Sequence, residues 1–362
     1  MIFTAMLRDA YRELNSKRLF WVVLALSGCT GLVYLSIGFN PEGMSLFFGL
    51  WQIDSEFIRE GSPIARILYR SIFSSFIVTL WLAWIAVILA LISTASIFPD
   101  FMQRGAIDIM LSKPVARWRI FLYKYLASLI FVVMQVALIS TLAFLALGFR
   151  LGDWEWRIFW AIPIVTLMFS YLFSVSVFVG TLTRSTLTAL LAAMLFWVTL
   201  FSLAAAHNTL GMIRVQTEID LERTESRLSD SREHSEEGAV PAALELQAEA
   251  ERKTVDTLRR WEGRIGLLRT PLPKTGETIE LIDRQLRRDT DVNIVDIFQG
   301  NVYIDAEGDA RAAGRPPDQV AANRLAEETA LRNPPWKIIG ISLLFECLLI
   351  GAAMTIFQRR EF

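Results

Sequence analysis

Six stretches of this chain are each long and apolar enough to cross a lipid bilayer, and no other feature narrows the choice of fold as much. They run approximately from Leu19 to Phe39, Ile72 to Phe98, Tyr125 to Phe149, Ile158 to Leu182, Thr186 to Ala206 and Trp336 to Phe357. A bilayer core of about 30 Å takes roughly 20 residues of helix, and inside it a chain must satisfy its backbone hydrogen bonds internally. The expected fold class is therefore an all-α integral membrane protein with six transmembrane helices. Hydrophobic residues make up 53% of the chain, and a mean hydropathy of +0.41 fits no soluble domain of ordinary surface-to-volume ratio.

Orientation follows from the cations in the short loops. One set of connections carries twelve of them: Arg8, Arg12, Lys17 and Arg18, then Arg104, Lys113, Arg117, Arg119 and Lys124, then Arg184, then Arg359 and Arg360. The opposite set carries five: Arg59, Arg66, Arg70, Arg150 and Arg157. Both termini are expected inside, with Trp154, Trp156, Trp160 and Trp336 at the outer interface. The tight "TLTRST" link makes the fourth and fifth spans antiparallel neighbours. "LSGC" (Leu26 to Cys29) matches a lipoprotein signal, but the apolar run continues through "GLVYLSIGF", which keeps the segment as a span.

Four regions are expected along the chain. Residues 1–18 place Phe3, Met6, Leu7, Ala10, Tyr11 and Leu14 on one helical side and form a cytoplasmic amphipathic elbow helix. Residues 19–206 form the bundle of spans one to five, with a cytoplasmic segment at 99–124. Residues 207–335 carry 18 Lys plus Arg against 25 Asp plus Glu and make a water-exposed extracytoplasmic insertion between spans five and six. Residues 336–362 are span six and a cytoplasmic tail. Within the insertion, 212–268 reads as an antiparallel helical hairpin of coiled-coil type, its second arm marked by Leu244, Ala248, Val255, Leu258, Trp261 and Ile265. "NIVDIFQGNVYID" alternates as a strand or two, and "AEGDARAAGRPPDQV" is loop chemistry. Residues 41–58 are too short to cross and read as an interfacial helix or an exterior strand.

No phosphate-binding glycine loop, zinc-protease motif, nucleophile elbow or paired CxxC occurs, so the chain is not expected to be an enzyme or to carry a cofactor. His207 and His234 read as solvated, Cys29 and Cys347 as small apolar residues. A net charge of -1 points to no nucleic acid. Glu346 is the one charged residue near mid-span. A carboxylate there costs about 2.5 to 3.5 kcal/mol on insertion scales, so it should face the bundle interior or a wet cavity. It reads as a neutral acid bonded to another helix, a polar point on a substrate path or a proton-relay group, with Gln135, Ser170, Ser174 and Ser176 as partners. The small face around Gly180 and the Thr188, Ala189, Ala192, Ala193 face of span five suit close helix packing.

The segment after span two, "RGAIDIMLSKPVARWRIFLYKYL", resembles the cytoplasmic coupling segment of ABC-2 type exporter permeases. Gly105, Leu111, Ser112, Lys113, Pro114, Arg117 and Lys124 match the usual form, while Gln103, Ala106 and Tyr123 depart from it. The elbow helix, the six spans and the terminal "FQRREF" are similar to the same family, in particular the branch of the nitrous-oxide-reductase maturation permease. The resemblance implies a bacterial inner-membrane transport subunit without its own ATPase, working as a homodimer or paired permease. Separate ABC ATPase subunits would press on the elbow helix and the coupling segment, and their closure would open an outward path. A second reading is a mechanotransmitting scaffold whose outer hairpin acts on a periplasmic partner without transport.

Overall fold

A computed structural model describes residues 18–54, 62–102, 116–152, 154–233, 239–286, 302–304, 310–312 and 317–360. The elbow helix and most of the coupling segment, including Gly105, Leu111, Ser112, Lys113 and Pro114, lie outside the described residues. Five helical stretches are long and apolar enough to cross a membrane: Phe76–Phe101, Arg117–Arg150, Trp156–Thr183, Thr186–Arg232 and Pro335–Arg359. Phe20–Ser36 is a shorter apolar helix. The chain divides into two compact units. One comprises Met1–Trp197, Thr275–Ala313 and Leu343–Phe362, the other Val198–Lys274 and Gly314–Ser342.

The first unit is built on helix packing. Helix α1 (Arg18–Ser36) lies along α5 (Arg117–Leu151). Gly31 permits this approach, since a Cβ there would come within 2.5 Å of the Leu142 side chain. Gln135 Nε2 donates to Ser27 Oγ at 3.0 Å across the same interface. Between lipid-soluble helices such small-residue contacts and hydrogen bonds supply the specificity that the hydrophobic effect cannot. Tyr34 and Tyr69 each donate to the other's backbone carbonyl at 3.0 Å, clasping α1 to α2 (Pro63–Ile72).

From α2 the chain passes through a π-helical stretch, Phe73–Ala86, into α3 (Val87–Thr94) and the short α4 (Ile97–Phe101). Its buried residues come in pairs, Ile77 and Val78, Leu82 and Ala83, Ala86 and Val87, Ala90 and Leu91. That repeat is slower than the 3.6-residue α-helical period, so a wider helix keeps one face inward. Helix α6 (Ala161–Thr183) ends at Arg184 in the left-handed conformation, which turns the chain at once into α7 (Thr186–Glu233). At the turn Gly180 packs on Ala189 and Pro99, whose atoms would stand 3.3 and 3.4 Å from an added Cβ.

The fold is overwhelmingly helical, as expected, with two small sheets beside the helices. Strands β1 (Gly38–Asn40), β2 (Gly43–Leu46) and β3 (Trp51–Asp54) form an antiparallel sheet in that order, with a 3-10 turn at Phe47–Gly49 between β2 and β3, so the described part of 41–58 follows the strand reading. β4 (Val302–Ile304) and β5 (Ala310–Ala312) form a second antiparallel pair. One departure is α9 (Thr275–Leu286), which groups with the membrane helices and packs against α6 and the π-helical stretch. Ile279, Leu281 and Ile282 are buried there, so this part of the acidic insertion is not simply water-exposed.

The second unit holds the hairpin. Its first arm is no separate helix: α7 runs unbroken for 48 residues from the fifth apolar run, because nothing between Thr186 and Glu233 stops a helix except the tolerable Gly211. Helix α8 (Ala239–Arg269) runs antiparallel to it, as the pairs Arg214 with Glu262, Arg259 with Glu218, and Arg252 with Glu225 establish. Along α8 the residues Ala248, Val255 and Glu262 are buried at seven-residue spacing. Trp261, expected in this seam, is half exposed and stacks under Arg264 at 5.0 Å. A three-four alternation from Ala248 reaches position 262, not 261, and Glu262 is tolerated inside because Arg214 binds it at 2.7 Å. Arg214 also bonds Glu218 at 2.9 Å and Glu328 at 2.6 Å, joining α7 and α8 to α10 (Pro317–Arg332). Part of the expected loop at 306–320 is thus helix, opened by Pro317 at a first-turn position where its missing N–H costs nothing. Glu222, hydrogen-bonded to Arg324 at 3.0 Å, holds that guanidinium above its usual pKa.

Candidate coupling site

The two ends of the coupling segment return to one place in the first unit. Met102, after α4, and Ala116, before α5, are the described residues on either side of 103–115, the part of the expected 99–124 segment outside the described residues. Here α4, the start of α5, the end of α6 and the end of α11 (Pro335–Arg359) converge. Arg117 Nη1 donates to the carbonyl of Arg360 at 3.1 Å and to that of Gln358 at 3.4 Å. Arg360 Nη2 in turn donates to the carbonyl of Leu182 at 2.7 Å. Helix C-termini leave carbonyls without intrahelical partners and carry partial negative charge, so cations are favoured there. Two arginines therefore tie the ends of α6 and α11 to the start of α5. Lys124, seven residues along, places Nζ 5.1 Å from the Phe101 ring centroid, a cation–π contact between α5 and α4.

Beneath these cations lies a closed aromatic cluster. Phe357 contacts Phe101 and Phe121 at 5.7 Å between centroids, and Phe98 contacts Phe121 at 4.8 Å and Phe173 at 6.3 Å. Phe173 stacks on Tyr125 at 5.3 Å and on Phe169 at 5.4 Å. None of these rings except Phe101 is more than 2% exposed. Offset and tilted pairs of this kind contribute about 0.5 to 1.5 kcal/mol each beyond burial. Rings this closely packed move together, because a dense interior transmits displacement and does not absorb it.

Glu346 closes the chain of contacts. Tyr125 Oη donates to its Oε1 at 2.7 Å and Ser170 Oγ to its Oε2 at 2.8 Å. The carboxyl, 6% exposed, thereby joins α11 to α5 and α6. Gln135 and Ser174 do not reach it: Gln135 is bound to Ser27, and Ser174 Oγ donates to the Tyr171 carbonyl of its own helix at 2.7 Å. Ser176 makes no hydrogen bond to it either. Of the four partners expected, only Ser170 is one. Tyr125 was not among them; a tyrosine at the start of an apolar run reads as an interface ring, and its reach along the helix toward Glu346 depends on helix rotation. Among the described residues no group of three His, Cys, Asp or Glu is placed to hold a metal. Chemically the site can fix helices and exchange hydrogen bonds.

The arrangement is a continuous set of contacts from a charged bundle end to a buried carboxyl. No curated protein and no solved structure matches the chain. The family model described as ABC-2 family transporter protein matches residues 5–219, more than half of the sequence, and the chain belongs to that family.

Proposed function

We propose that this chain is the membrane-spanning permease subunit of an ATP-driven ABC-2 exporter, coupling a separate ATPase to outward movement of a substrate. Six spans with both ends inside, Phe20–Ser36 being the first, belong to this reading. Its 17 residues fall at the short end of what spans a bilayer. The observation that carries the proposal is the continuous contact from Arg117 and Phe101, on either side of residues 103–115, through Phe357, Phe121, Phe98 and Phe173 to Tyr125 and Glu346. An ATPase pressing on residues 103–115 would move α4 and α5 together and pull on α6 and α11 through these rings. Gly105, Leu111, Ser112, Lys113, Pro114, Arg117 and Lys124 are the coupling residues, and Glu346 is the polar point where the motion reaches mid-membrane. Two copies, or this chain and a related permease, would complete the pathway in the inner membrane.

The test is recovery of an ABC ATPase with the full chain from native membranes, followed by ATP-dependent flux in proteoliposomes. Gly105→Trp and Pro114→Leu should lower the recovery, and unchanged recovery would count against docking at that segment. One observation favours a second reading, mechanotransmission without transport: α7 is a single helix of 48 residues, about 72 Å at 1.5 Å per residue, joining the fifth apolar run to the hairpin. ATPase-driven change in hairpin accessibility without flux would select it.

A further inference from the structure

Arg150, in the last turn of α5, lies at the end of the bundle remote from Arg117 on the same helix. Its guanidinium passes over Gly38, where an added Cβ would stand 2.9 Å from Nη1 and push it aside. Its charge then meets the ring of Phe48, 5.9 Å from the centroid, and no carboxylate is paired with it among the described residues. Around it the surface is apolar: Leu50 is 91% exposed, Phe149 73%, Phe48 and Trp51 65%. Trp154 stands edge-on to Phe149 at 5.7 Å. The backbone is strained to present this surface. Phe47 and Phe48 take φ of 52° and 58°, a region costly for bulky residues, followed by Gly49 at 94°. The outer edge of β3 has no strand beside it among the described residues.

A cation with no carboxylate paired to it among the described residues, set among exposed aromatic rings at the level where the apolar part of a membrane helix ends, is complementary to an anion in the headgroup layer. We infer that Arg150, Phe48 and Trp154 form a binding site for the phosphodiester headgroup of an anionic phospholipid, with Leu50 and Trp51 inserted beside it. The guanidinium would hold two phosphate oxygens in its planar fork, and the rings would replace water around the pair. This site is independent of ATPase coupling.

The full chain, released from detergent micelles into a native mass spectrometer, is titrated with phosphatidylglycerol and separately with phosphatidylcholine. The expected result is one retained phosphatidylglycerol per chain, weakened roughly fivefold by Arg150→Gln, largely kept by Arg150→Lys, and no such dependence with phosphatidylcholine. Phe48→Ser lies on an exposed loop and leaves the fold intact; it should weaken the same retention. Equal phosphatidylglycerol retention by the wild type and Arg150→Gln would overturn the site. So would a Phe48→Ser variant that loses a dimer while binding the lipid unchanged, since a second copy would then cover this surface.

Discussion

Deleting the acid at Glu346 should cost less than deleting the groups that bind it. Each donor has a second acceptor within reach: Ser170 Oγ lies 2.8 Å from the Leu167 carbonyl, and Tyr125 Oη lies 3.1 Å from the Ser170 carbonyl. Each hydroxyl carries one proton, so loss of the carboxyl strands neither donor. Glu346→Leu should therefore destabilise by about 1 to 2 kcal/mol, the net value of two hydrogen bonds, which within membranes average only about 0.6 kcal/mol apiece. Glu346→Gln should fall within about 1 kcal/mol of the wild type. The double change Tyr125→Phe with Ser170→Ala leaves a buried carboxyl with no donor, and stranding such a group costs about 1 to 3 kcal/mol, more where it keeps its charge, on top of the two hydrogen bonds lost. The assay is reversible unfolding in mixed micelles, with the wild type, the two single variants and the double variant measured under one condition. A larger loss from Glu346→Leu than from the donor pair would refute the reasoning.

Other outcomes follow from the same contacts. Arg117→Gln removes the donor to two α11 carbonyls and should cost about 0.5 to 1.5 kcal/mol in stability, while lowering stimulation of the ATPase. Arg214→Met leaves Glu218, Glu262 and Glu328 facing one another without their shared cation, and should lower hydrogen-exchange protection of the hairpin base by about 3 kcal/mol or more. Gly211→Val drives a methyl toward Leu325, which a Cβ already meets at 2.9 Å, and should destabilise the second unit by about 1 to 3 kcal/mol. Thr209→Pro breaks α7 at about 3 kcal/mol; under the mechanotransmitting reading it abolishes hairpin response, and under the exporter reading flux survives better than that response.

The membrane helices were legible because apolar length is a property of the chain alone. Thr186 to Ala206 and Trp336 to Phe357 fall inside observed helices, and the Gly180 and Ala189 faces meet as small residues should. Helix rotation is not legible in the same way. Ser170 and Ser174 share one helical face by spacing, yet only Ser170 reaches Glu346, since the partner helix passes at a single height. Trp261 illustrates a one-residue error in phase: its bulk made it the natural seam residue until Glu262 found Arg214. Helix α9 was missed because three apolar residues among charges give too weak a period unless the surface they cover is known. The hydrogen bonds from Arg117 and Arg360 to helix ends could not be read at all, because a helix terminus has no signature in residues 241 and 178 positions away.

Recovery of an ABC ATPase with the full-length chain from solubilised native membranes, compared between the wild type and a Lys113→Glu variant, bears most directly on coupling at the charged bundle end. Stoichiometric ATPase with the wild type and its loss with the variant are expected; no ATPase with either, or equal amounts with both, would contradict the account.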